Sequence, residues 1–116
     1  MNVEDFREYC ITKRGVSESF PFDAEVLVFK VMGKIFALAN INDFQEVNLK
    51  CNPEKSIELR ANYQGVMPGY HMNKKHWNTV SVRKDVPKNI IYQLIDESYN
   101  LVVSNLPKKL KQELNG

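Results

Sequence analysis

Glu25-Val26-Leu27-Val28-Phe29-Lys30-Val31, Met32-Gly33-Lys34 and Ile35-Phe36-Ala37-Leu38-Ala39-Asn40 form the stretch that decides the fold. Its two flanks are rich in β-branched and aromatic residues, which favour extended backbone, and the glycine between them supplies the positive φ of a tight hairpin. The stretch predicts two antiparallel strands. Gln45 to Cys51 then alternates Val47, Leu49 and Cys51 with Glu46, Asn48 and Lys50, the pattern of a third strand with one face on the core and one on water. The first two strands are apolar on both faces, so either a loop or a second subunit must cover the face that the helices leave open.

Upstream, Asn2 to Arg14 predicts a helix. Asn2 caps it, Glu4 and Asp5 complement the positive end of its dipole, Lys13 and Arg14 the negative end, and Gly15 stops it. Phe6 and Cys10 fall on its inward face. Downstream, Asn52-Pro53-Glu54 supplies a cap, a first-turn proline and an acidic first turn, predicting a short helix to about Tyr63 with Ile57, Leu59, Ala61 and Tyr63 as its apolar positions. Gly65 to Lys75 reads as a loop punctuated by Pro68 and Gly69, with room for a short strand at Gly65 to Met67. His76 to Val82 reads as a strand and Arg83-Lys84-Asp85 as a turn. Pro87 opens the longest helix, where Ile91, Leu94, Ile95, Ser98, Leu101, Val102 and Leu106 recur at helical spacing until Pro107 interrupts it. Lys108-Lys109-Leu110-Lys111 ends the pattern as a short extra helical turn or a frayed one. No repeat or linker divides the chain, so residues 1–116 are expected to form a single domain. The expected class is α+β: a two-layer sandwich, an antiparallel β-sheet with helices on one face, in the order α-β-β-β-α-β-β-α.

The 116 residues are 43% hydrophobic and 26% charged, which is globular composition and excludes disorder as the main theme. No apolar run approaches the ~18 residues of a membrane span. The N-terminal Met1-Asn2-Val3-Glu4-Asp5 lacks the basic-then-apolar pattern of an export signal, and there are only two cysteines, so a reduced cytoplasmic setting is expected. The net charge of +2 conceals an asymmetry. Residues 1–58 hold seven Lys/Arg against ten Asp/Glu, a net of −3, whereas residues 59–116 hold nine against four, a net of +5. A basic half permits one positive face, and a positive face attracts polyanions; the competing use of the same lysines is solubility.

The chemistry concentrates in Pro68-Gly69-Tyr70-His71-Met72-Asn73-Lys74-Lys75-His76-Trp77-Asn78-Thr79-Val80, which carries both histidines and the only tryptophan. Rings interleaved with cations suit nucleic acid: rings stack on bases while lysines neutralise phosphates. Asn73 and Asn78 are able to bond base edges or phosphates, or to serve as turn and capping residues. Trp77 fits core packing as well as stacking. His71 and His76 are five apart, with no cysteine or carboxylate in the loop, so no metal site is expected. Cys10 and Cys51 read as buried thiols rather than nucleophiles. Phosphate-binding glycine motifs and the metalloprotease motif are absent. No enzymatic activity and no cofactor are expected.

Taken together, Ser19-Phe20-Pro21-Phe22, Phe29-Lys30-Val31, Gly33-Lys34-Ile35-Phe36-Ala37-Leu38, Val47-Asn48-Leu49-Lys50-Cys51, the Pro68–Val80 segment and Ser98-Tyr99-Asn100-Leu101-Val102 resemble the MmcQ/YjbR family over nearly the whole chain. The resemblance implies a double-wing fold similar to that of secretion chaperones, and a DNA-binding role. Its characteristic positions fall on Lys34, Lys50, Gly69, Tyr70, His71, Met72, Asn73, Lys74, His76, Trp77 and Asn78. The expected function is therefore non-catalytic DNA binding through a basic aromatic loop and two wing turns, Met32-Gly33-Lys34 and Arg83-Lys84-Asp85. Lys74, Lys75, Arg83, Lys84 and Lys88 would meet phosphates, Lys34 would bind from its wing turn, Tyr70, His71, His76 and Trp77 would order the loop or stack, and Asn73 and Asn78 would bond base edges or phosphates. The alternative is a protein-interaction or chaperone-like module, binding a partner or a second copy through an apolar sheet face formed by Val26, Val28, Phe36 and Leu38 or by their opposite-parity neighbours. An unrecognised enzyme would instead need a deep pocket at His71 or His76 with a carboxylate or thiol in reach.

Overall fold

The computed structural model describes residues 1–69 and 72–116; Tyr70 and His71, both expected site residues, lie outside them. The described elements follow the order α1 (Val3–Ile11), β1 (Val16–Ser19), β2 (Val26–Val31), β3 (Lys34–Asn40), β4 (Glu46–Lys50), α2 (Pro53–Asn62), β5 (Val66–Pro68), β6 (Trp77–Ser81), α3 (Lys88–Ser104) and α4 (Lys108–Asn115). The strands form one open sheet, β1-β2-β3-β4-β6-β5, antiparallel throughout, so the α+β class and the helix-on-sheet layering hold. Two elements are additional to those expected. β1 is an edge strand with a single apolar residue, Val16, and forms because β2 offers it an unpaired edge, Val16 opposite Val31 through Ser19 opposite Val28. The basic tail is a full helix: Leu114 is buried, and a Cβ on Gly15 would stand 2.5 Å from its Cδ1.

The hairpin turns as expected, with one refinement. Met32 (φ 49°) and Gly33 (φ 83°) both occupy the left-handed region, the geometry whose twist suits a two-residue loop between strands. Beyond the turn, the register shifts between Phe29 and Lys30: Phe29 faces Ala37 and Lys30 faces Ile35, leaving Phe36 as the extra residue of a bulge. Phe36 and Ala37 consequently both join the core, and Ile35 shares the opposite face with Lys30.

α1, α2 and α3 cover one face. Phe6 of α1 meets Phe29 edge-on, with ring centroids 5.5 Å apart. Ile91, Leu94, Ile95 and Val102 of α3 are buried over Ala37, Val47 and Leu49. α2 corrects the sequence expectation: its inward residues are Ser56 and Leu59, while Ile57 is 68% exposed. Positions 57, 59 and 61 advance by two and cannot share one side of a helix, whereas 56 and 59 can. No helix among the described residues is long and apolar enough to cross a membrane.

The uncovered face carries Val26, Val28 and Leu38; Val28 and Leu38 are buried yet lie outside the main core cluster. Phe22, from the loop before β2, and Met72, from the loop before β6, line a groove over this face. Of the two covers the sequence allowed, loops supply at least part.

Candidate functional site

The antiparallel order determines which lysines meet. Lys50 ends β4 directly opposite Trp77 at the start of β6. Lys30 and Lys34 lie beside the β2–β3 turn at the same end of the sheet. Lys30, Lys34, Lys50 and Trp77, with Asn105 beyond the end of α3, line a cavity of about 470 Å³. None of these three ammonium groups forms an ion pair with any described residue. Trp77 is half-buried and lines the opening.

Ser98 sets the position of Lys50. Beside the bulge the β3–β4 ladder covers only Ala37 opposite Leu49 and Leu38 opposite Asn48. The Ser98 hydroxyl, fully buried on α3, takes up the groups left over: it donates to the Phe36 carbonyl at 2.5 Å and accepts from the Lys50 backbone N–H at 2.8 Å. A helical side chain thereby stitches two strands where their own pairing fails.

Trp77 is held by the loop that precedes it. Its N–H donates to the Asn73 carbonyl at 2.9 Å, and its carbonyl accepts from Gly69 N–H at 2.8 Å. Gly69 is glycine because a Cβ there would stand 2.9 Å from the Trp77 Cβ and 3.0 Å from its carbonyl oxygen. The Asn73 Oδ1 accepts from Lys75 N–H at 3.0 Å, so Asn73 closes the turn. The His76 carbonyl accepts from Cys51 N–H at 2.8 Å, tying the loop to the end of β4. Asn78 is buried on the helix-covered face: Arg60 Nε donates to its Oδ1 at 2.9 Å and its Nδ2 donates to Ser56 Oγ at 3.1 Å. Arg60 Nη2 also donates to the Lys74 carbonyl at 2.8 Å, pinning the loop from below. Lys74 and Lys75 are exposed at its tip.

The remaining expected residues lie elsewhere. Because Glu46 pairs with Ser81 and Lys50 with Trp77, the Arg83-Lys84-Asp85 turn sits at the far end of β6, so the two candidate wings point from opposite ends of a sheet about 20 Å long. Lys88 starts α3 at that far end and donates to Asp5 at 3.2 Å, which raises its pKa and lowers that of Asp5. Asp85 anchors its turn by accepting from Gln64 and Gly65 N–H at 2.8 and 2.7 Å, and those bonds hold its carboxyl below the usual range. Lys30 and Lys50 were absent from the expected contact residues. Strand parity signals both, since each follows an inward residue, Phe29 or Leu49, and Lys50 is also among the characteristic positions of the family resemblance. Cys10 is fully buried and burial pushes its thiol up to about 12, far from a nucleophile's range.

The chain is similar to known proteins in sequence and to a solved structure in fold. The Escherichia coli K12 uncharacterized protein YjbR is 33% identical over 115 residues, 98% of each chain. Uncharacterized protein YbdF of Escherichia coli O157:H7 is 42% identical over 91 residues, covering 78% of this chain and 75% of its own. The crystal structure of Deinococcus radiodurans protein DR2400, a DUF419 domain, superposes with a TM-score of 0.91 at 40% identity, covering 98% of this chain and 88% of its own. The YjbR family profile matches residues 11–101, which includes Lys30, Lys34, Lys50 and Trp77 together with Gly69, Asn73 and Ser98 that position them. The chain belongs to the YjbR family.

Proposed function

We propose that the protein binds nucleic acid without catalysing a reaction on it, and that DNA single strands are its preferred form. The observation that carries this reading is the convergence, on one partly exposed tryptophan, of three lysines that have no ion pair among the described residues. The cavity has the size of a small-ligand site, which suits a nucleotide or two splayed from a strand better than a duplex groove. Lys30, Lys34 and Lys50 neutralise phosphates and Trp77 stacks on a base, while Lys74 and Lys75 extend the positive path along the loop. His76 orders that loop or adds stacking surface. Arg83, Lys84 and Lys88 engage only a strand that runs the length of the sheet. Free Cys10 and Cys51 suit a reducing, cytoplasmic setting.

Because Trp77 is the only tryptophan, its fluorescence reports the site directly. Titration with a single-stranded oligonucleotide should quench it, and anisotropy of the labelled strand should give a log–log salt slope of about −2 for three neutralised phosphates. Lys30→Ala, Lys34→Ala and Lys50→Ala combined should flatten that slope, and Trp77→Leu should weaken binding by about 1–3 kcal/mol. No binding at low salt, or an unchanged slope in the triple variant, would refute the reading.

A further inference from the structure

The open sheet face has a second cavity at the end away from the lysines, with the opposite character. It measures about 740 Å³, within the usual range for an organic ligand. Val26 and Leu38 lie in its floor beside their strand partners Asn40 and Asn48, Phe22 and Met72 line it, and the exposed Asp43 and Glu46 complete the lining. No lysine or arginine is among its described lining residues. Glu46 has neither an ion pair nor a side-chain hydrogen bond among the described residues, and the one described bond to the Asp43 carboxylate comes from Gln45 Nε2 at 3.1 Å. Phe22 is 67% exposed although its loop is fixed: Asp23 accepts from Glu25 and Val26 N–H at 2.9 and 2.8 Å. A large ring held out over an apolar floor gives up hydrophobic burial unless something fills the space beneath it.

We propose that this groove binds a small organic cation, an ammonium carried on an aliphatic or aromatic body. The body would occupy the floor between Phe22, Leu38 and Met72, the unbranched methionine adapting to its shape. The ammonium would lie beside the Asp43 and Glu46 carboxylates. This site is separate from the lysine cavity and would select the opposite charge.

Three probes of equal chain length, octylammonium, octanol and octanoate, test the proposal by NMR titration of the full chain. Octylammonium should bind saturably and shift the amides of Val26, Leu38 to Asn40 and Glu46 to Asn48. Octanol should bind about tenfold more weakly and octanoate more weakly still. Asp43→Asn with Glu46→Gln, both at exposed positions, should reduce octylammonium affinity about five- to tenfold and leave octanol unchanged. Phe22→Ala should weaken both. Equal affinity for octylammonium and octanoate would overturn the proposal, as would shifts centred on Lys50 and Trp77. A groove reserved for a polypeptide would give no saturable response to any probe, which also overturns it.

Discussion

Ser98→Ala removes one oxygen and strands two backbone groups. The Phe36 carbonyl is buried in the bulge and the Lys50 N–H is part-buried at the end of β4; both lose their partner together. A buried group left unsatisfied costs about 1–3 kcal/mol, and alanine returns about 0.5 kcal/mol of helix propensity. With the Lys50 N–H partly open to water, the net destabilisation should be about 2–4 kcal/mol. For a chain of this length that corresponds to a fall in Tm of about 8–16 °C. Urea unfolding should show the loss as a lower midpoint at unchanged slope. Ser104→Ala on the same helix is the control: its hydroxyl donates to the Leu101 carbonyl on an exposed turn, and its removal should change stability by less than about 0.5 kcal/mol. Because Ser98 also fixes Lys50, oligonucleotide affinity should fall in Ser98→Ala under conditions where the variant is still fully folded. A destabilisation under about 1 kcal/mol would refute the claim that this hydroxyl replaces a ladder bond.

Gly15→Ala should destabilise by about 1–2 kcal/mol, since φ is +74° and the new Cβ meets Leu114; Leu114→Ala should remove most of the additional penalty in a double-mutant cycle read by thermal melts. The Cys10 thiol ionises near 9 when unfolded but near 12 when folded, so the stability due to the neutral thiol is complete below pH 9 and is lost as pH rises towards 12. Its share of the slope is about 1.4 kcal/mol per pH unit, and comparing Cys10→Ala with the parent across that window isolates it. Arg60→Ala should weaken oligonucleotide binding and shift the amides of Lys74 and Trp77 by NMR, because the guanidinium pins the loop from beneath.

Much of this fold was legible because hydrophobic period distinguishes strand from helix. The β2–β3 hairpin, the alternating β4 and the face of α3 containing Ile91, Leu94, Ile95, Ser98 and Val102 could all be read from spacing. β1 could not, since Val16-Ser17-Glu18-Ser19 has almost no apolar signal and owes its conformation to the edge of β2. α4 owes its place to Leu114, buried beyond the basic run that suggested fraying, and to Leu110, which packs against the core from within that run. The site was half legible. Trp77 and Lys34 carried their own signals, but their meeting with Lys30 and Lys50 depends on β6 pairing with β4, a strand order that no local pattern records. The same order separates Arg83 and Lys84 from the loop with which they share the basic half of the sequence. Asn78, polar in an exposed-looking motif, turns inward because Ser56 and Arg60 satisfy it.

The ends of the sheet have a consequence of their own. A free strand invites another chain to add to it, the route by which sheet proteins polymerise. Here β5 is three residues long and closes with Pro68, which has no N–H to offer, while β1 is four residues long and carries Glu18 in an ion pair with Arg7. Neither margin offers a long, flat, apolar template. Lateral growth into fibrils is thus discouraged at both sides, and crowding or partial heating should leave dispersed molecules rather than seeded aggregates for as long as these two short strands stay paired.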